Sequence, residues 1–296
     1  MSTQTPDYGL DAGRAVRAMF IVGPAGAIGG FLLERWTLSG HLGMAYTLQI
    51  LGFLLLILAT LMFASSRFGK FHARDRILSR LKLRGDEALL DVGCGHGLLL
   101  VAAAKLLPRG RAVGIDLWSQ WQQADNSREA TLRNAALEGV APRVTVEDGD
   151  MRKMPFADGS FDATVAHFAI HNITAGEGRR EAIREIVRTL KPGGQVAISD
   201  LQGVDLYADE LRKSKMIDVE ISQRSFWTFP PARTVTARKP SPSVSWNYHE
   251  QEKEHGSSQH AGTVVQVQGG GEWRYSRGHA ALCRCLSGQG DRHQGA

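Results

Sequence analysis

Two long apolar runs occupy the first quarter of the chain, and beyond them hydrophobic positions fall into short blocks separated by turn residues. Ala18 to Leu33 and Ala45 to Ala64 contain no charged side chain. From Ala88 the pattern changes. Ala88 to Val92 is an apolar run of strand length, followed by Gly93-Cys94-Gly95-His96-Gly97 and by a helix-forming stretch from Leu98 that Pro108 ends. Further strand-like runs are Arg111 to Asp116, Arg143 to Glu147, a fourth that reaches Phe168 after the turn-rich Met154 to Asp162, and Gln195 to Asp200. A helix rich in Arg and Glu precedes the turn Leu190-Lys191-Pro192-Gly193-Gly194, Val204 to Lys215 reads as a helix, and Asp218 to Ser222 and Arg233 to Lys239 read as strands. Strands alternating with helices predict an α/β domain around a mostly parallel sheet.

The second apolar run, about 20 residues, is long enough to cross the roughly 30 Å hydrocarbon layer as a helix, and reads as a transmembrane span. The first, about 16 residues with Pro24 inside, is short for a span. Its Gly26-x-x-x-Gly30 and Ala25-x-x-x-Gly29 spacings suit close helix packing, so it reads as the first half of a hairpin. A signal peptide, with Arg14 and Arg17 ahead of the run, and a buried helix are the alternatives. Between Arg67 and Arg84 lie seven Lys or Arg residues and the single acid Asp75, a bias that places the chain beyond Ala64 on the cytoplasmic side. Apolar residues near helical spacing from Phe68 to Leu83 either lie against anionic head groups or cap the following domain. The expected organisation is a membrane region over 1–66, with helices at 18–33 and 45–64, a basic juxtamembrane linker or helix over 67–84, and the α/β domain over 85–240. Residues 241–296, rich in Gly, Ser, Gln and His, read as a disordered tail or an out-of-frame extension.

Charge identifies the ligand of the glycine loop. Gly93, Gly95 and Gly97 are spaced G-x-G-x-G, with Leu98 where a dinucleotide fingerprint needs its last glycine. Asp91 sits where strand meets loop, a poor neighbour for a pyrophosphate and a good one for the ammonium and sulfonium of S-adenosylmethionine. Asp116 ends the next strand about 20 residues on, where a carboxylate can accept both ribose hydroxyls.

With these motifs in order, residues from about Phe68 to Pro240 resemble class I S-adenosylmethionine-dependent methyltransferases (methyltransferase type 11). The Met154 to Asp162 run together with Leu190 to Gly194 is most similar to the ubiquinone and menaquinone C-methyltransferase branch. The resemblance implies a three-layer, doubly wound, seven-stranded, mostly parallel, Rossmann-like sheet. It implies Asp91, Gly93, Cys94, Gly95 and Gly97 around the methionine moiety, Asp116 on the ribose and Leu117 beside the adenine. Asp150 would accept from the adenine amino group, the Met151 N–H would reach the ring, and His167 would contact the cofactor through its backbone. Taken singly, Asp91 and Asp116 also read as strand-end caps, and Asp148 competes for the role of Asp150. The chain departs from that branch in its hydrophobic hairpin.

Methyl transfer from a sulfonium needs alignment and exclusion of water more than catalytic side chains. Substrate should meet the segment after the fourth strand, His167-Phe168-Ala169-Ile170-His171-Asn172, where His171 is the candidate base or else caps the following helix or orients a loop. That segment is neither Asn-Pro-Pro-Tyr nor Asp-Pro-Pro-Tyr and no Pro-Cys pair exists, which argues against a nucleic-acid substrate. The net charge of +5 does not change this, because the basic residues collect after the apolar block. Trp118 and Trp121 read as a lid over the adenine, or as core or membrane-facing residues. The three cysteines fit a reducing compartment, and Cys283-x-Cys285 with His279 and His293 matches no common zinc spacing, so no metal is expected. The reading is a membrane-anchored methyltransferase facing the cytoplasm and acting on a small, lipophilic acceptor. A protein or soluble-metabolite methyltransferase and a non-catalytic cofactor-binding module are the alternatives.

Overall fold

A computed structural model describes residues 5–36, 42–119 and 125–241, together with the backbone of 263–267 and 271–275. Helices α1 (Gly13–Trp36) and α2 (Leu42–Ala64) form an antiparallel hairpin, each longer than its apolar run. Small residues set the approach. A Cβ on Gly30 would lie 2.5 Å from the Ala45 carbonyl oxygen, and one on Gly52 would lie 2.5 Å from the Ala27 nitrogen. Gly26 faces the partner as expected, whereas nothing lies within 4 Å of Gly29; the contact face is Gly23, Gly26 and Gly30 rather than Ala25 and Gly29. The outward faces carry exposed Ile21, Phe31, Ile50 and Phe53, so neither helix is a buried core helix.

A π-helical turn, Ser65–Gly69, carries α2 into α3 (Lys70–Leu78). Ile77, Leu78 and Leu81 are buried with Leu89, Leu99 and Leu100, so this helix caps the α/β domain and is no free linker. Burying these side chains against the sheet removes their apolar surface from water. The strands are β1 (Ala88–Val92), β2 (Arg111–Asp116), β3 (Val144–Asp148), β4 (Phe161–His167), β5 (Leu190–Asp200), β6 (Ile217–Ile221) and β7 (Arg233–Arg238), interleaved with α4 (Leu98–Leu106), α5 (Arg128–Leu137), α6 (Gly176–Thr189) and α7 (Val204–Lys213). Their order in the sheet is β3-β2-β1-β4-β5-β7-β6, parallel except for β7, which runs antiparallel to β5 and β6. This is the class I methyltransferase fold.

The strand period of two divides the core. Leu89 points to the side packed by α3 and α4, and Leu90 to the side packed by α6 and α7, whose Ile183, Ile186, Tyr207 and Leu211 recur at helical spacing. Several element ends differ from the sequence reading for local reasons. β3 starts at Val144 because Arg143 belongs to a short 3₁₀ turn. β4 stops at His167 because Phe168 takes φ +53°. β5 begins at Leu190, with the Pro-Gly-Gly segment inside it and a register shift opposite Phe161 and Ala163. α7 ends at Lys213, ahead of Lys215 at φ +60°.

Residues 242–296 form a separate unit. Within this stretch, expected to lack regular structure, β8 (Thr263–Val267) and β9 (Gly271–Tyr275) pair antiparallel. Their β-branched and aromatic residues flank a glycine-rich connection, the local chemistry of a hairpin. Cys283, Cys285, His279, His293, Trp121 and the rest of 120–124 lie outside the described residues.

Candidate active site

The sheet reverses its winding between β1 and β4, and a cleft of about 810 Å³ opens beyond the carboxyl ends of these strands. The loop after β1 forms one wall. Gly93, Gly95 and Gly97 have φ of +73°, +50° and +83°, a region that favours glycine. A Cβ on Gly93 would collide with Ala169, and one on Gly97 would come within 2.9 Å of Thr131 Cγ2. The N–H groups of Gly93 and Cys94 donate to the Ile115 carbonyl at 2.8 and 3.2 Å, tying the loop to β2. The Cys94 side chain turns beneath the loop toward Gly114, and burial pushes its thiol up.

Asp91 is 2% exposed, and its Oδ2 meets no hydrogen-bond donor. Burial pushes this carboxyl up to about 7, with the nearby Asp116 charge adding to the effect. An uncompensated buried carboxylate facing a cleft calls for a cation. Asp116 accepts from the Gly95 N–H at 2.9 Å on Oδ2, and from the Trp118 N–H at 2.7 Å and Asn126 Nδ2 at 3.2 Å on Oδ1. Its rim faces the cleft with Leu117, Asp150 and Met151. Arg152 grips the Asp150 carboxylate at 2.5 to 3.0 Å and holds it below the usual carboxylate range, an ionised acceptor. Asp148 is drawn away by Trp118 Nε1 at 2.6 Å, which settles which of the two acids borders the cleft. That bond also pins Trp118 against the β3 rim, and Trp118 is absent from the cleft wall.

Opposite the glycine loop lie His167, Phe168 and His171. His171 belongs to a 3₁₀ turn, Ile170–Asn172, that Arg179 braces through the carbonyls of His171 and Ile173 at 2.9 and 2.6 Å. Its Nδ1 stands 2.5 Å from Asp200 Oδ1, and its backbone N–H donates to Oδ2 at 3.0 Å. Asp200 is fully buried, accepting also from the Tyr207 hydroxyl at 3.1 Å and the Leu201 N–H at 2.8 Å. The carboxylate oxygen is an acceptor, so Nδ1 donates to it, and in the neutral imidazole this makes Nε2 the acceptor nitrogen. The His167 ring stacks on Phe168 at 3.9 Å, neither ring nitrogen finds a partner, and burial depresses it to about 4, so it is neutral. His167 lines the cleft, with both ring nitrogens shielded from solvent.

The sequence reading missed three parts of this site. Asp200 appeared there only as the end of a strand, and Tyr207 only as a helix residue. The third is the N-terminal segment 7–12, which crosses the glycine loop. The Asp7 carbonyl accepts from His96 Nδ1 and Asn134 Nδ2 at 3.1 and 2.7 Å, and Lys70 Nζ donates to the carbonyls of Tyr8 and Gly9 at 2.9 and 2.6 Å. No periodicity marks such a strap. Beyond it the cleft reaches Gly13, Arg14 and Ala15 at the start of α1 and Met62 and Ser65 at the end of α2.

Residues 90–198 match a family described as a methyltransferase domain. Among curated proteins, the demethylmenaquinone methyltransferase of Lactobacillus johnsonii is 29% identical over 42% of this chain and 48% of its own length. The 27-O-demethylrifamycin SV methyltransferase of Amycolatopsis mediterranei is 31% identical over 43% of each chain. The chain thus spans about half the length of the curated relatives it matches. Among solved structures, the [4+2]-cyclase SpnF is 23% identical with a TM-score of 0.49, over 58% of this chain and 81% of that one. Residues 90–198 thus carry a methyltransferase domain, and the unpaired Asp91 and the glycine cradle fit the cationic methionine end of S-adenosylmethionine.

Proposed function

We propose that this class I methyltransferase domain is held at a membrane by the α1–α2 hairpin and methylates a small lipophilic acceptor that enters from the bilayer. The observation that supports this reading is the continuity of one cleft, from Asp91 and Gly95 past His171 to Ala15 and Met62 at the feet of two apolar helices. Arg14 and Arg17 at the start of α1 join the basic residues after α2 on the same side, favouring a cytoplasmic domain. The names of the relatives, a quinone and a rifamycin methyltransferase, point to small-molecule acceptors.

When bound, S-adenosylmethionine supplies an electrophilic methyl group on a sulfonium. Asp91 would offer its free Oδ2 to the cationic methionine end, and the Gly93–Gly97 backbone would let that end approach without a side chain in the way. Asp116 would take the ribose hydroxyls, Leu117 would flank the adenine, and Asp150 with the Met151 N–H would read the ring edge. His171 Nε2 would accept a proton from a hydroxyl of the acceptor as its nucleophile develops, while Asp200 keeps the imidazole in register and stabilises the imidazolium. His167, neutral and shielded, would contact the cofactor through its backbone. The strap and the helix feet would exclude water.

Incubating membranes that contain the chain with methyl-labelled cofactor tests this. Label in the lipid extract, lost with His171→Ala, is the expected result. Label confined to protein or to the aqueous fraction would overturn it.

A further inference from the structure

A second cavity, of about 680 Å³, lies between α3, the strand ends at Ser199 and Thr234, and the loop 222–228. Its chemistry is distinct. Arg76, Arg80 and Arg224 border it. Arg76 and Arg80 have no carboxylate partner among the described residues, because the nearby Asp75 is taken by Arg74 at 2.8 Å. Arg224 acts on Asp205, which Arg233 already pairs. Thr228 is 2% exposed, yet its hydroxyl has no hydrogen-bond partner, and the Ser225 hydroxyl is shielded and unpartnered as well. Unopposed guanidinium groups beside two orphaned hydroxyls make a site that lacks an anion with several acceptor oxygens.

The site's position indicates where the anion comes from. The Phe229 N–H donates to Ser65 Oγ at 2.8 Å, the Trp227 carbonyl abuts Gly69, and the Trp227 ring stacks on His72 at 4.2 Å. The loop is thereby fastened to the π turn that begins where α2 ends. Gly69 follows Ala64 by five residues, about 8 Å of helical rise, which sets the loop's fastening point at the outer edge of a headgroup layer. Beside the cavity, Phe226 and Phe68 are 79% and 69% exposed, and Trp227 is half exposed. A soluble anion would have no use for these aromatic side chains. An amphiphile at the bilayer surface would.

We propose that this cavity binds the phosphate of an anionic phospholipid headgroup, with Arg76, Arg80 and the Thr228 hydroxyl as its recognition groups and Phe226 and Trp227 set in the interfacial layer beside it. The site rests on the membrane reading above. It would orient the domain so that the active-site cleft stays at the bilayer surface.

Native mass spectrometry of the full chain released from neutral detergent tests the assignment, with phosphatidylglycerol, phosphatidylcholine and inorganic phosphate as probes. One phosphatidylglycerol should be retained in preference to phosphatidylcholine. Arg76→Gln with Arg80→Gln should weaken retention about 30-fold, near the sum expected for two basic residues at an anionic surface. Thr228→Val keeps shape and charge and should still weaken it about tenfold, as removing a hydrogen bond to a charged group does. Unchanged cofactor binding by the variants shows that they are folded. Retention that falls with the arginines but ignores Thr228→Val would mean diffuse surface attraction and overturn the proposal. Displacement by equimolar inorganic phosphate would also overturn it, by assigning the cavity to a soluble anion. Carbonate extraction of membranes reports on the hairpin alone: release there with lipid retention intact would sink the membrane anchor and leave the site standing.

Discussion

The two walls of the active-site cleft are built by opposite means. The wall that suits S-adenosylmethionine comes from contiguous residues at strand ends: Asp91, the Gly93–Gly97 turn and Asp116 are fixed by β1 and β2 lying side by side in register. The wall proposed to meet the acceptor is assembled from afar. His171 depends on Asp200 across 29 positions, Asp200 on Tyr207 from the following helix, and the cleft's outer end on residues 8–15 and 62–70. A reaction shared by a whole family can be served by a local motif, whereas an acceptor that differs from enzyme to enzyme is met by parts gathered from separate elements. Changes on the two walls should therefore separate cofactor affinity from turnover.

The largest effect is expected at His171. His171→Ala should lower turnover by about 10²–10⁴-fold with cofactor affinity nearly unchanged, measured as kcat beside a calorimetric Kd. Asp200→Asn should follow it in direction, because a neutral amide can no longer hold the proton on Nδ1. Equal losses in affinity and turnover would show that the two walls are not separable. The reverse case is Asp91. Asp91→Ala removes the negative group at the buried end of the loop and should weaken cofactor binding by about 10²–10³-fold, the scale of losing one member of a buried charge pair. Retained affinity would place the methionine end elsewhere.

The contrast also explains what could be read from the sequence. The five parallel strands, the glycine loop and Asp116 were legible because each is a short pattern with a period of two or a fixed spacing, and burial on both faces leaves such patterns little freedom. Asp200 was hidden because a strand-terminal acid has the same appearance whether it caps a helix or anchors a histidine. The strap was hidden because it is held largely through backbone groups, among them the carbonyls of Asp7, Tyr8 and Gly9, which no side-chain pattern announces. The hairpin was visible as two apolar runs, but its contact face was not, since Gly26 and Gly29 look alike until the partner's Gly52 is located.

Gly52 gives the next prediction. A side chain there would strike the α1 backbone at Ala27, so Gly52→Leu should pry the hairpin open. Methylation of a membrane-borne acceptor should fall, while cofactor affinity stays within about twofold, as for sites that share no contact. A loss of cofactor binding would show that the hairpin supports the first wall too. A smaller effect is expected from pH. Asp91 lies at about 7 in the cofactor-free protein, above its ordinary value of 3.8, so the folded state holds this proton more tightly than the unfolded chain. Its contribution to stability is therefore present at acid pH and is lost as pH rises from about 4 toward 7. A cation on Oδ2 favours the ionised form, so cofactor affinity should climb by up to about tenfold per pH unit below 7 and level off above it. Calorimetric titrations across that range check the slope, and a flat profile would mean that Asp91 is already ionised.

The smallest effect belongs to the strap. The Tyr8 hydroxyl donates to Glu138 Oε1 at 3.0 Å, while its ring meets Phe71 edge-on at 6.0 Å. Tyr8→Phe keeps the ring contact and removes only the bond, and Glu138 stays held through Oε2 by Lys105 at 2.5 Å, so no buried group is left stranded. The expected loss is about 1 kcal/mol of strap docking, a few-fold in its closed population. If the strap closes over bound cofactor, this should appear as a few-fold faster cofactor release in stopped-flow displacement, with the chemical step in a single turnover unchanged. Release at the original rate would mean that segment 7–12 braces the glycine loop from behind without gating the cleft, and the first wall would then be complete without it.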